Sequence, residues 1–341
     1  MHYRYVFMFC VYLHVGVIET EVVNNFDSLS RCGRFFYKGK RPSIRNPAAD
    51  IVYICQKYND QDFYATLYDK TNRIPVYSAV QLIPPDQNSY DNRLDDKFFI
   101  EPKLAGRGGK NMIEVDNREH NFNNVHKAKF GKYQALDIDY KDSGYDRGHL
   151  NPQIFNTQNK NSRYATNTLT NIAPQYGPFN QVTWNIMENG LVNAVRDKCN
   201  FSGAKSYVVI GVQPSNDKFI TRTIEKTVTT SKGKQKTKNE YENRVNVPDF
   251  YWTAICCDTS MATNHTNMGW SFGYKANNIN EKSVLVSFYP VHEFLSNHYS
   301  QIFEQGCEFS RNNTIKIIKY IKNSIQQGPI FEANPTERFE T

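Results

Sequence analysis

Residues 180–199, NQVTWNIMENGLVNAVRDKC, place apolar side chains at Trp184, Met187, Leu191 and Val195 and contain no proline. Steps of three and four residues return to one face of an α-helix, so this segment must lay that face against a core. The surrounding runs have a different period. IVYICQKY (51–58), FYATLYD (63–69), IPVYSAV (74–80), SYVVIGV (206–212) and FYWTAICC (250–257) are rich in β-branched and aromatic residues. They are the length of buried strands and are separated by turn residues. An amphipathic helix among such strands predicts an α+β fold. Residues 221–243 are Lys- and Thr-rich with little apolar content, and predict a long hairpin or a mobile loop with solvated lysines. A second helix is expected from Glu293 in EFLSNHYSQIFEQ. No biased linker divides residues 21–327, which predicts one domain, and the aperiodic tail 328–341 is expected to be disordered.

The first residues have the pattern of an export leader. MHYR supplies a basic start, and about a dozen mostly apolar residues follow before Glu19 and Thr20. The run is short of the ~20 apolar residues that span a bilayer, so residues 1–20 are expected to be a signal peptide and the protein to be secreted, without a membrane span. Cys10 falls inside that leader. Cys32, Cys55, Cys199, Cys256, Cys257 and Cys307 remain, an even number that suits a disulfide framework in an oxidising compartment. Adjacent Cys256 and Cys257 should reach different partners. Asn200, Asn264 and Asn312 begin N-x-S/T sequons, which fit the same compartment. The formal net charge of +7 favours an acidic partner such as nucleic acid, an anionic glycan or a membrane surface.

The chemistry concentrates in SGYDRGHLNP, residues 143–152. Histidine titrates near neutrality, so the His149 imidazole can accept a proton from water. Arg147 keeps its charge and offers a planar fork of donors to phosphate oxygens, and Gly148 lets the backbone between them turn. A base beside a fixed cation is suited to phosphodiester cleavage. Such sites often add a metal. Asn180 opens the expected helix, with Trp184 and Glu188 at i+4 and i+8 on the same α-helical face. Mg2+ keeps several waters and takes few protein ligands, so Asn180 as a direct ligand with Glu188 on coordinated water would suit it. Trp184 is expected in the core.

YDRGHLNP followed by TNIAPQ, FNQVTW and Glu188 resembles the DNA/RNA non-specific endonuclease family, with its ββα-metal (His-Me finger) fold on a mainly antiparallel sheet with flanking helices. Within it, the stretches ICQKYNDQDFYATLYD, IPVYSA and RVNVPDFYWTAICC are most similar to the vertebrate endonuclease domain-containing 1 group. The resemblance covers roughly residues 30 to 310. It implies His149 as general base, Asn180 as the sole direct Mg2+ ligand, with Mn2+ as a substitute, and Glu188 orienting metal-bound water. It further implies Arg147 near the scissile phosphate, Asn171 as an active-site asparagine whose hydrogen bonds support the site, and an orienting role for Asp146. Arg107 is a candidate for an additional upstream arginine. The implied activity is sequence-non-specific hydrolysis of DNA or RNA, and the resemblance leaves room for a homodimer. The alternative is a catalytically inactive nuclease-fold protein that binds nucleic acid or a protein partner.

Overall fold

The computed structural model describes residues 21–26, 31–84, 94, 97–114, 130–229, 231, 233–303, 307, 310–325 and 327–339. The expected leader over 1–20 lies outside the described residues. After the short β1 (Val22–Val23) and β2 (Ser43–Ile44), the strands β3 (Ile51–Tyr58), β4 (Gln61–Asp69) and β5 (Ile74–Gln81) form an antiparallel meander over three of the expected runs. Two small ladders follow: β6 (Phe99–Ile100) with β7 (Ile113–Glu114), and β8 (Tyr145–His149) with β9 (Ile172–Tyr176). β10 (Lys205–Gln213) returns to the main sheet. β11 (Phe219–Thr229) and β12 (Gln235–Asn246) pair with each other as a long hairpin, one of the two outcomes expected for that segment. β13 (Phe250–Asp258), β14 (Trp270–Asn277) and β15 (Leu285–Tyr289) complete the meander, while β16 (Tyr299–Gln301) pairs with β2. β17 (Ile330–Phe331) closes the far edge. The main sheet has nine strands in the order β1-β3-β4-β5-β10-β13-β14-β15-β17, antiparallel except between β15 and β17. The helices are α1 (Asp137–Tyr140), α2 (Lys160–Thr166), α3 (Asn185–Lys198) and α4 (Arg311–Ser324).

Each face of this sheet carries its own apolar layer, because successive strand residues point to opposite sides. From β13, Tyr251, Ile255 and Cys257 join the layer that holds Trp184, Met187, Leu191 and Val195. Trp252, Ala254 and Cys256 join the opposite layer with Phe36, Phe294 and Tyr299. The alternation explains the adjacent cysteines. Cys257 bonds Cys199 at the end of α3, Cys256 bonds Cys307 on the other face, and Cys32 bonds Cys55.

Two expectations need correction. No helix begins at Glu293: the Phe294 ring packs where Gly273 leaves room and against Trp252, and Leu295 turns the chain at φ 55°. That positive φ ends any helical path, and the segment then pairs as β16. The second long helix is instead α4, whose Ile317, Ile318 and Ile321 are buried at helical spacing. The tail is not disordered over its described part. Ile330 and Phe331 add β17 beside β15, the Arg338 guanidinium meets Glu332 at 2.7 and 3.0 Å, and Phe339 is buried. Among the described residues, no helix is long and apolar enough to cross a membrane.

Candidate active site

The DRGH sequence is strand β8, and its partner β9 leads through Gly177 and Pro178 into the helix. In register, Asp146 lies opposite Gln175, Arg147 opposite Pro174, Gly148 opposite Ala173 and His149 opposite Ile172. The ladder is anchored to the main sheet by the Tyr251 hydroxyl, which donates to the Ala173 carbonyl at 2.9 Å. Asn278 fastens the other end, accepting from the Tyr176 N–H at 3.0 Å and donating to the Pro174 carbonyl at 3.1 Å. Gly148 is required by this packing. A Cβ there would stand 2.7 Å from the Gln175 Cβ and 2.8 Å from the Tyr251 hydroxyl. Strand alternation then puts Arg147 and His149 together on the opposite face from Gly148. Phe98 lies beside both, its ring 5.0 Å from the Arg147 guanidinium carbon and 6.1 Å from the imidazole.

His149 Nε2 lies 3.0 Å from Asn167 Oδ1. Two further bonds orient that amide: Gln153 Nε2 donates to the same Oδ1 at 2.8 Å, and Asn167 Nδ2 donates to the Lys97 carbonyl at 3.2 Å. Asn167 Oδ1 is therefore an acceptor and Nε2 must carry the hydrogen. In the neutral imidazole this leaves the proton-accepting lone pair on Nδ1. Sequence reasoning missed Asn167. It sits in ATNTLTNIAP among several polar residues, and no periodicity separates it from its neighbours.

The metal-ligand candidate is held from the same strand. Asp146 Oδ2 accepts from Asn180 Nδ2 and from Gln181 Nε2, each at 2.9 Å. With its nitrogen committed, the Asn180 amide has Oδ1 left, and that atom takes no hydrogen bond from the described residues. Asp146 is three residues before His149, about 10 Å of strand. The helix starts differently from the expected α-helix. Phe179–Trp184 form a π-helical turn that runs directly into α3. A π turn holds more residues than an α turn, so Asn180 does not stand in line above Trp184 and Glu188. Trp184 is core, 1 % exposed and packed on Phe179 and Tyr251.

Arg147 is fixed before any substrate arrives. Its Nε lies 2.6 Å from Asp137 Oδ1 in α1, and neither Nη group meets an acceptor among the described residues. Helix α1 is itself clamped from the root of the long hairpin. The buried Arg244 of β12 forms a two-pronged pair with the buried Asp139 at 3.1 Å, and Arg222 of β11 donates to the carbonyls of Ile138, Asp139 and Lys141. Asn171 is fully buried and fully used. Its Oδ1 accepts from Ser78 and the Asn151 N–H, and its Nδ2 donates to the carbonyls of Asn151 and Thr166. It supports the loop after His149. Arg107 stacks on Phe130 at 4.5 Å.

Glu188 follows Asn180 by eight residues, in α3. The buried Tyr251 phenol is raised well above its ordinary range by burial and then by the charges of Asp146 and Glu188. Burial pushes the Glu188 carboxyl up to about 8, and the Trp184 indole N–H opposes the rise without being aligned for a full hydrogen bond. Several buried polar atoms around this point have no protein partner: both amide atoms of Gln175, the Tyr140 hydroxyl and Trp184 Nε1. Buried polar groups of this kind are satisfied by ordered water. Among the described residues no group of three or more His, Cys, Asp or Glu side chains could enclose a metal. A single amide oxygen, one carboxyl on the same helix and buried polar atoms that call for ordered water fit a hydrated Mg2+ and not a cation that needs an all-protein cage. Concavities of about 240 Å³ beside Ile186 and Ile325, and of about 530 Å³ beside Glu332 and Arg338, lie elsewhere and carry no such chemistry.

A two-stranded ribbon bearing an imidazole, followed by a helix start bearing an amide, on a broad antiparallel sheet, defines a nuclease scaffold of the ββα-metal class. The family model for DNA/RNA non-specific endonucleases matches residues 51–296. The chain belongs to that family. It is 28% identical over 316 residues to the Endonuclease domain-containing 1 protein of Homo sapiens, covering 91% of this chain and 55% of that protein. The Mus musculus protein of the same name is 29% identical over 298 residues, covering 86% and 51%. The chain thus spans about half the length of these curated relatives. Endonuclease G, mitochondrial, of Homo sapiens is 35% identical over 102 residues, 29% of this chain and 32% of that protein. A chain of a solved EndoG/EndoGI complex is 19% identical with a TM-score of 0.42, covering 75% of this chain and 81% of its own.

Proposed function

We propose that this protein is an exported, Mg2+-dependent endonuclease that hydrolyses phosphodiester bonds of DNA or RNA with little sequence preference. The observation that carries the proposal is the contact of His149 Nε2 with an amide oxygen of Asn167 that already accepts from Gln153, which favours the tautomer with its proton-accepting lone pair on Nδ1. His149 Nδ1 takes a proton from the attacking water. Arg147, aligned by Asp137, holds a phosphate oxygen through its Nη groups and neutralises charge as it builds on phosphorus. Asp146 turns the Asn180 oxygen outward, and Asn180 with Glu188 would hold the ion and its waters. Magnesium, when bound, supplies Lewis-acid stabilisation of the phosphate and of the departing 3′ oxygen, which would give 5′-phosphate and 3′-hydroxyl ends. His149 and Asn180 serve one phosphate in this reading. Contacts to backbone phosphate carry no sequence information, and cleavage should fall as salt rises. Export is supported by three disulfides that use all six cysteines after the leader.

Digestion of labelled DNA and RNA by the purified chain, with chelator and then with a Mg2+ titration, tests the proposal. Cleavage abolished by chelator and restored by Mg2+ is expected. Binding of nucleic acid without cleavage at any metal concentration would make this a nuclease-fold binding protein.

A further inference from the structure

The three sequons are far apart in sequence, yet the fold brings them to one place. Asn200-Phe201-Ser202 follows the end of α3, Asn264-His265-Thr266 lies in the turn between β13 and β14, and Asn312-Asn313-Thr314 opens α4. The Phe201 and His265 rings, the middle residues of two sequons, stack with centroids 4.3 Å apart and planes within 4°. The Thr263 N–H donates to the Ser202 carbonyl at 2.9 Å. Asn313, the middle residue of the third, donates to the Asn267 carbonyl at 2.8 Å. Thr314 exchanges hydrogen bonds with the Ser271 backbone at 3.2 Å, and disulfides at Cys199–Cys257 and Cys256–Cys307 hold the same end of the sheet.

The acceptor asparagines behave in the opposite way. Asn200, Asn264 and Asn312 are all exposed, and none of their side-chain amides bonds to another described residue. Asn264 stands at a turn with φ 60°. We propose that these three asparagines are N-glycosylated and form a single carbohydrate-covered pole. Each Nδ2 would displace the lipid pyrophosphate from a lipid-linked oligosaccharide. The C1–N bond forms as the C1–O bond breaks, the pyrophosphate leaves with the electron pair, and the one proton lost by the amide leaves with the pyrophosphate. Because Thr314 is buried against Ser271 in the folded chain, Asn312 is modified before α4 docks. The pole is remote from the cleavage residues. Asn180 precedes α3 and Asn200 follows it, and 14 helical residues separate them by roughly 20 Å at about 1.5 Å per residue. Glycans here would leave the site open to a long polyanion.

This inference rests on the export part of the proposed function and not on nuclease activity. The full chain is expressed in mammalian cells twice, with its own N-terminus and with a proven export leader placed ahead of it, then treated with a peptide N-glycosidase. Three steps of mobility are expected, with Asn200→Gln, Asn264→Gln and Asn312→Gln each removing one step and enzymatic deglycosylation leaving any cleavage rate unchanged. Steps seen only behind the added leader support the pole and overturn native export. Fewer than three steps behind the added leader overturn the three-site pole.

Discussion

Removing the Asp146 carboxylate should cost metal affinity before it costs chemistry. Oδ2 accepts from Asn180 and Gln181 at 2.9 Å, and hydrogen bonds to a charged group contribute about 1.5–3 kcal/mol each. In Asp146→Ala nothing else in the described structure holds the Asn180 nitrogen, so its oxygen is no longer aimed. Loss of a group that orients a ligand typically costs about 10–100-fold in metal affinity or activity. The assay is the initial rate of plasmid nicking as a function of Mg2+ concentration, with thermal melting as a control for folding. Half-saturating Mg2+ should rise by about 10–100-fold while the plateau rate changes far less, and Asp146→Asn, which keeps one acceptor oxygen, should fall between. An unchanged Mg2+ dependence would refute the orienting role. So would a lowered plateau at the original half-saturation, since the carboxylate would then act in the chemical step.

Two further outcomes follow from the network behind the site. Asn167→Ala frees the imidazole to adopt the other tautomer and should lower cleavage toward the ~10²–10⁴-fold that a general base contributes, with melting little changed. Glu101 is fully buried, with one carboxylate oxygen unpartnered and the other near the Thr168 and Thr170 hydroxyls. Burial, reinforced by Glu21, pushes its carboxyl up to about 8. The folded chain therefore keeps this proton to higher pH than the unfolded chain. The stabilisation is complete below the ordinary carboxyl value of 4.5 and is lost as pH rises through about 8. At about 1.4 kcal/mol per pKa unit the effect is at most a few kcal/mol. Urea unfolding at acid and mildly alkaline pH should show Glu101→Gln gaining stability relative to wild type as pH rises, and parallel profiles would refute the shift.

Much of this was legible from period alone. β3, β5, β10 and β13 lie where β-branched and aromatic residues cluster, and the buried stripe of α3 follows three- and four-residue steps. The DRGH stretch stands out because unusual residue types sit side by side, and Asn180 because it opens the expected helix ahead of Glu188. What stayed hidden depends on contacts across the chain. Asn167, Asp137 and Gln175 are ordinary polar residues until the fold brings them against His149, Arg147 and Gly148. The π turn was missed because a wide turn leaves no distinct apolar spacing. The segment after Glu293 has helical composition, but Phe294 packing at Gly273 overrides it. The tail orders through β15 and the Arg338–Glu332 pair, neither of which periodicity reports.

The most direct measurement is Mg2+-supported nicking of supercoiled plasmid by wild type and His149→Ala at matched thermal stability. A loss of about 10²–10⁴-fold is expected. Near-normal cleavage by the alanine variant would contradict it.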